Sequence, residues 1–191
     1  MHIQDLILLV IGGEAEKSLR GRTTLQKKLY FLSELKEIDL GFRPHYYGPY
    51  SSPVAENLDI LVYARFLKEV TESFSTDRNV FGETRRHTYS WTFDSEAVMG
   101  EIKKEDGYTH WKQSLDTLNS LPFARDFNTL SIAAKVHYIF QQRKRTKRKH
   151  IKKFAKDYDW EISKLEIAGV HSFLKALSLI SVEKSTRPQE K

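Results

Sequence analysis

Apolar residues recur at helical spacing from the first positions of the chain. Ile3, Leu6, Ile7, Val10 and Ile11 predict a helix from residue 3 to about 18, with Gly12 and Gly13 weakening its second half. After the Arg20-Gly21-Arg22 loop, Thr23 is the expected N-cap of a second helix. Gln26 stands three residues on, so each side chain can meet an orphan amide of the first turn, and Leu25, Leu29, Leu32 and Leu35 form the apolar stripe. Residues 42–47 read as a short extended strand stopped by Gly48-Pro49. Ser52 is placed to cap a third helix, with Pro53 at its first position and Val54, Leu58, Leu61 and Val62 as its core face.

Residues 66–74 and 85–93 are rich in aromatic and β-branched side chains and flank a segment with Asp, Asn and Gly, the pattern of a β-hairpin. Residues 94–127 predict two helices, the second with Trp111, Leu115 and Leu118 on one face and an end near Pro122. They connect or brace the rest. Ile132, Val136, Ile139 and Phe140 mark another helix face, and Ile151, Phe154 and Ala155 a short helix before the turn Asp157-Tyr158-Asp159-Trp160. Ser163 and Glu166 have the capping-box spacing for a last helix carrying Ile167, Val170, Leu174 and Leu177. Residues 179–182 read as a closing strand.

The expected fold is therefore mainly α with a small β-hairpin. Three helices followed by a hairpin give a winged helix-turn-helix-like unit over residues 1–93. Residues 94–127 connect it to a helical, reduced winged-helix-like unit over 128–185, and 186–191 form a tail.

Charge sharpens this division. The 191 residues include 31 Lys and Arg against 25 Asp and Glu, a net charge of +6. Residues 143–153 hold eight of the basic residues and no acid, so the remainder of the chain stands at −2. Eight like charges in eleven residues need full solvation or a polyanionic partner, and the run leads directly into the second helix-turn-helix pattern. Arg143, Lys144, Arg145, Lys147, Arg148, Lys149, Lys152 and Lys153 are therefore candidate nucleic-acid contacts, joined by Lys164 on the last helix and by Arg78, Arg85 and Arg86 on the hairpin. Double-stranded DNA and RNA both fit this reading. The third helix differs: residues 53–64 hold Glu56 and Asp59 and no Lys or Arg, which suits a protein contact better than a phosphate backbone.

The chain contains no cysteine, so disulfides, cysteine-ligated metals and thiol catalysis are excluded, and a reducing compartment fits. The apolar run near the N-terminus is too short to span a bilayer and lacks the flanks of a signal peptide, so a cytoplasmic protein with no membrane contact is expected. Seven histidines form no metal-binding motif, and there is no P-loop or dinucleotide fingerprint. Glu34 and Glu37 sit three apart, on one expected helix face, with no cleft argument behind them as paired catalytic carboxylates. No catalytic residue, cofactor or metal is expected.

Gly21-Arg22-Thr23-Thr24-Leu25-Gln26-Lys27-Lys28-Leu29-Tyr30-Phe31, followed by His45-Tyr46-Tyr47-Gly48-Pro49-Tyr50-Ser51, resembles bacterial and archaeal YwgA-like proteins and, more distantly, the SocA-like or Panacea antitoxin domain. The resemblance covers about residues 3–93. It implies a non-enzymatic module, since Panacea-type domains neutralise partner toxins. The chain differs from the antitoxin pattern in its longer basic C-terminal half and in Tyr50-Ser51 after Gly-Pro.

Each motif has two readings. The apolar members of the second helix read as core, which leaves Arg22, Lys27 and Lys28 as its exposed, functional side. His45, Tyr46, Tyr47 and Tyr50 are either a rigid turn setting the angle of the third helix or a partner-binding surface, since tyrosine offers a large contact with a polar tip. The resulting expectation is a regulatory interaction protein. It would bind a protein partner through His45, Tyr46, Tyr47, Tyr50, Glu56 and Asp59, and nucleic-acid backbone through residues 143–153. The alternatives are an antitoxin or phage- and defence-associated protein that masks a toxin without nucleic acid, and an RNA-binding accessory factor. A homodimer through the flanking helices is expected by analogy with other winged-helix proteins.

Overall fold

The computed structural model describes residues 1–73, 85–143 and 150–180. Among them are eight α-helices and one three-stranded antiparallel sheet. Helix α1, Ile3–Gly12, is buried over six consecutive residues from Leu6 to Ile11, the signature of a helix covered on all sides. It ends well short of the expected residue 18. A Cβ on Gly12 would lie 2.0 Å from the Trp91 ring, whose indole N–H donates to the carbonyl of Leu8 at 3.0 Å. Gly12 therefore admits Trp91 against the helix. The chain next forms a 3₁₀ turn, Ala15–Lys17, and strand β1, Ser18–Arg20.

Helix α2, Arg22–Leu35, carries the expected stripe, with Leu25, Leu29 and Leu32 buried. Its N-cap is Gly21, not Thr23, and no side chain caps it. Helix α3, Ser52–Tyr63, is capped by Ser51, one residue before the expected Ser52. The Ser51 hydroxyl accepts from the Val54 amide, and Pro53 occupies the first turn. Between α2 and α3 there is no strand over 42–47, only a bridge pairing Arg43 with Tyr50 around a turn.

The hairpin strands are β2, Leu67–Ser73, and β3, Arg85–Trp91, paired antiparallel with Glu69 opposite Tyr89. β1 pairs on the other edge of β3, giving the order β1-β3-β2. Helices α4, Phe93–Ile102, and α5, Tyr108–Ser120, follow, then a 3₁₀ segment, Pro122–Arg125, and α6, Phe127–Gln142, capped by Asp126. The short α7, Ile151–Ala155, precedes α8, Lys164–Ala176, whose Ser163–Glu166 capping box forms as expected. Leu179 and Ile180 are not in a strand, and the rest of that expected strand lies outside the described residues.

α2 packs against α1, α5 and α6, and α6 also against α8. One buried cluster runs from Leu6 to Leu177 and takes residues from all three sequence segments, 1–93, 94–127 and 128–185. No helix among the described residues is long and apolar enough to cross a membrane.

Candidate functional site

The His45–Tyr50 turn is held from both sides by side chains that reach its main chain. Gly48 has φ of +98°, a backbone state that L side chains rarely adopt, and its amide donates to the carbonyl of His45 at 2.9 Å. Arg43 and Tyr50 exchange backbone hydrogen bonds of 2.9 and 2.8 Å across the turn. From α2, Gln26 donates to the carbonyl of Ser51 and accepts from its amide, both at 2.9 Å. Lys27 donates Nζ to the carbonyl of Pro49 at 2.7 Å. From the C-terminal part of the chain, the Trp160 indole N–H donates to the carbonyl of His45 at 2.7 Å.

Two expectations for α2 are thereby corrected. Gln26 does not close a capping box with Thr23, because its amide is used across 25 residues on the Ser51 backbone. Lys27 and Lys28 are not an exposed side, being 1% and 2% accessible. Lys28 instead pairs with Glu14 and donates to Asn119 at 2.8 Å. Burial, helped by the nearby charge of Lys135, lowers the Lys27 amine to about 7. Arg22 stays partly accessible and makes its own contacts, described below.

With its main chain so held, the turn presents His45 and Tyr46 outward. Tyr46 is 70% exposed and meets Tyr47 edge to face at 4.8 Å, and His45 lies against Tyr50 at 5.2 Å. Tyr47 and Tyr50 are half-buried. The turn continues through Ser51 into α3, where Glu56, Ile60 and Tyr63 share one exposed stripe, Tyr63 being 91% exposed. Asp59 is not free for a partner in the way Glu56 is. It accepts from Arg22 at 2.6 Å, and Arg22 also donates Nε to the Tyr89 hydroxyl at 2.6 Å. Tyr89 donates to Glu69 at 2.6 Å, and His87 stands 2.8 Å from the same carboxylate. This network ties α2, α3, β2 and β3 together. Burial and the bond to Glu69 hold the Tyr89 hydroxyl protonated, while Tyr89, Arg22 and His87 together keep the Glu69 carboxyl below its ordinary range despite burial.

The basic candidates divide into two places. Arg85 and Arg86, on β3, line a cleft together with the start of α2. Arg143 lies at the end of α6, with its guanidinium 5.1 Å from the Phe154 ring and 3.1 Å from Asp157, so it reaches across to the α7 region. Lys152 and Lys153 on α7 and Lys164 on α8 are exposed. Arg78, Lys144, Arg145, Lys147, Arg148 and Lys149 lie outside the described residues.

A second cleft, of about 700 Å³, opens beside Glu34. Glu34 accepts from Gln141 at 3.1 Å, and burial raises its carboxyl above the ordinary range. Beneath it the Tyr30 hydroxyl and His137 Nδ1 are 2.8 Å apart, and burial lowers the His137 imidazole to about 4. Glu37 follows the end of α2 at φ of +54°, so the two glutamates do not share a helix face, although both line this cleft. Among the described residues no three His, Asp or Glu side chains come together as a metal site.

The contacts missed in the sequence are the long ones. Trp160 lies 115 residues from His45, and no local pattern announces that bond. Arg20 and Arg125, which line the same cleft as Arg85 and Arg86, stand in unremarkable contexts. No family model matches the chain, and neither does any curated protein.

Proposed function

We propose that the protein is a non-catalytic regulatory interaction protein of the YwgA-like or SocA-like kind, built as two winged-helix-like units. It takes a protein partner on the surface formed by the His45–Tyr50 turn and the exposed stripe of α3. It contacts nucleic-acid backbone through the basic segment 143–153. The reading is carried by the way the turn is built: Gln26, Lys27 and Trp160 bind its main chain from within, while Tyr46 projects into solvent. A rigid backbone presenting exposed tyrosine lowers the entropy cost of association, and tyrosine is enriched at binding hot spots. Beside it, Ile60 and Tyr63 supply apolar contact and Glu56 a charged rim.

The test is a comparison of the wild-type chain with Tyr46→Ala and Tyr63→Ala, each purified from its native cell at low salt. A stoichiometric protein partner, lost in both variants while the melting temperature is unchanged, is the expected result. Retention of that partner by both variants, or the absence of any partner, overturns the reading. The partner's identity also separates a toxin from a regulatory complex.

A further inference from the structure

The start of α2 and the edge of the sheet enclose a cleft of about 580 Å³ whose charged residues are mostly cationic. Its lining includes Arg20, Arg22, Lys28, Arg85, Arg86 and Arg125, against two carboxylates, Glu14 and Asp126. Chain geometry brings these residues together. β1 lies antiparallel to β3 with Arg20 opposite Thr88, and the Gly21 amide still donates to the carbonyl of His87 at 2.8 Å. There the chain leaves the sheet to begin α2, so the β3 residues Arg85 and Arg86 extend past the end of β1. The Pro122–Arg125 segment and the start of α6 complete the lining.

Several of these cations already hold the fold. Arg20 pairs with Glu72, Arg22 with Asp59, and Lys28 with Glu14. The side chains of Arg85 and Arg125 are exposed, and neither takes part in an ion pair among the described residues. Cationic side chains lining a concave, low-dielectric wall concentrate potential there and draw in an anion. Five of the six are arginine, whose planar donor fork fits phosphate oxygens in pairs. They are distributed over β1, α2, β3 and the 3₁₀ segment, an arrangement that suits successive charges along a strand better than one point charge. An acidic peptide would need apolar anchor pockets as well. Of the apolar residues in the lining, Leu19 and Ala124 are buried in the core and Phe127 is half-buried, so the wall offers one partial aromatic contact and no set of anchor pockets. The hydroxyls of Ser18, Thr23 and Thr24 add neutral donors to the lining.

We propose that this cleft binds the phosphodiester backbone of a nucleic-acid strand. The choice of nucleic acid rests on the proposed function, but the place is separate. The cleft lies at the beginning of α6 and the segment 143–153 starts at its end, about 24 Å away along 16 residues of helix.

The experiment measures fluorescence anisotropy of labelled single-stranded DNA and RNA with the full chain across a salt series. Arg85→Glu/Arg125→Glu is compared with Lys152→Glu/Lys153→Glu and with Lys103→Glu/Lys104→Glu, a distant pair with the same change of net charge. Circular dichroism checks that each is folded, and Arg85→Gln/Arg125→Gln replaces the reversal if it is not. The cleft pair is expected to weaken binding at least tenfold more than the distant pair. It should also reduce the log–log salt slope by about 1.4, roughly 0.7 for each lost contact on a single strand. Inorganic phosphate at matched ionic strength should displace the strand better than chloride.

Equal binding by the cleft and distant pairs overturns the site. If the Lys152/Lys153 pair is then still impaired, the nucleic-acid part of the proposed function stands without the cleft. Loss at the cleft alone supports this site and removes the segment 143–153 from that function. Mononucleotides that bind as tightly as the strand overturn the backbone assignment. No binding to either strand by the wild-type chain overturns the cleft, and no binding to a labelled DNA duplex as well overturns the nucleic-acid part of the proposed function.

Discussion

Lys27 donates its buried Nζ to the carbonyl of Pro49 at 2.7 Å, so an amine from the middle of α2 holds the turn that precedes α3. Burial depresses this amine to about 7 in the fold, against about 10.5 when exposed. Between those values the unfolded chain binds a proton that the folded chain does not, so stability rises with pH from about 7 to 10.5 and is flat with respect to this group below 7. Each pKa unit corresponds to about 1.4 kcal/mol, so the full rise is on the order of 5 kcal/mol. Urea denaturation of the wild-type chain and Lys27→Met at half-unit pH steps measures it. The difference between the two curves should carry the slope, and parallel curves would remove the assignment.

Gln26 makes two hydrogen bonds to one residue, Ser51, whose hydroxyl in turn caps α3. Gln26→Leu keeps most of the volume but leaves a buried carbonyl and amide without partners. A buried polar group left unsatisfied costs about 1–3 kcal/mol. The variant is expected to lose about 2–5 kcal/mol in equilibrium denaturation. Thr23→Ala, at the position whose capping role does not form, should change stability by less than about 0.5 kcal/mol. Equal losses in the two variants would contradict the observed geometry.

Two glycines separate strain from propensity. Gly48 has φ of +98°, and a Cβ there would come within 3.0 Å of Lys135 Cγ and 3.4 Å of Lys27 Cε. Gly100 lies inside α4 with nothing within 4 Å of its added Cβ. Gly48→Ala is expected to destabilise by about 1–3 kcal/mol, and Gly100→Ala to stabilise by up to about 1 kcal/mol. Thermal unfolding of both variants checks the opposite signs.

What the sequence made legible follows from how local each signal is. The α2 stripe, the hairpin strands and the Ser163–Glu166 box depend on neighbours within a few residues, and all three form. Gln26 misleads because the same spacing that serves a capping box also places it opposite Ser51. Lys27 and Lys28 mislead because their charge argues for solvent, while the structure gives each a partner inside: a carbonyl for one, Glu14 and Asn119 for the other. β1 is three residues long, too short for alternation to show, and its register exists only against β3. The aromatic turn was visible as a cluster, but its support from Trp160 was not. The cleft of arginines depends on strand register and on a segment more than 100 residues after β1, so no charge run in the sequence marks it.

The Tyr30–His137 pair governs the acid side. Burial lowers His137 to about 4 from about 6.5, so the unfolded chain takes up a proton first as pH falls. Stability contributed by the neutral imidazole is complete above about 6.5, declines toward about 4 and then levels, a span of about 3 kcal/mol. Glu34 stands 3.9 Å from His137, and its raised carboxyl acts in the opposite sense, since a proton retained in the fold makes stability fall as pH rises. Glu34→Gln should therefore steepen the loss between pH 6.5 and 4. Tyr30→Phe, which removes the hydroxyl 2.8 Å from Nδ1, should cost about 1–3 kcal/mol at pH 7. Denaturation curves at pH 7, 6, 5 and 4 for all three chains measure both effects, and a Glu34→Gln slope shallower than wild type would reverse the assigned roles of the two groups.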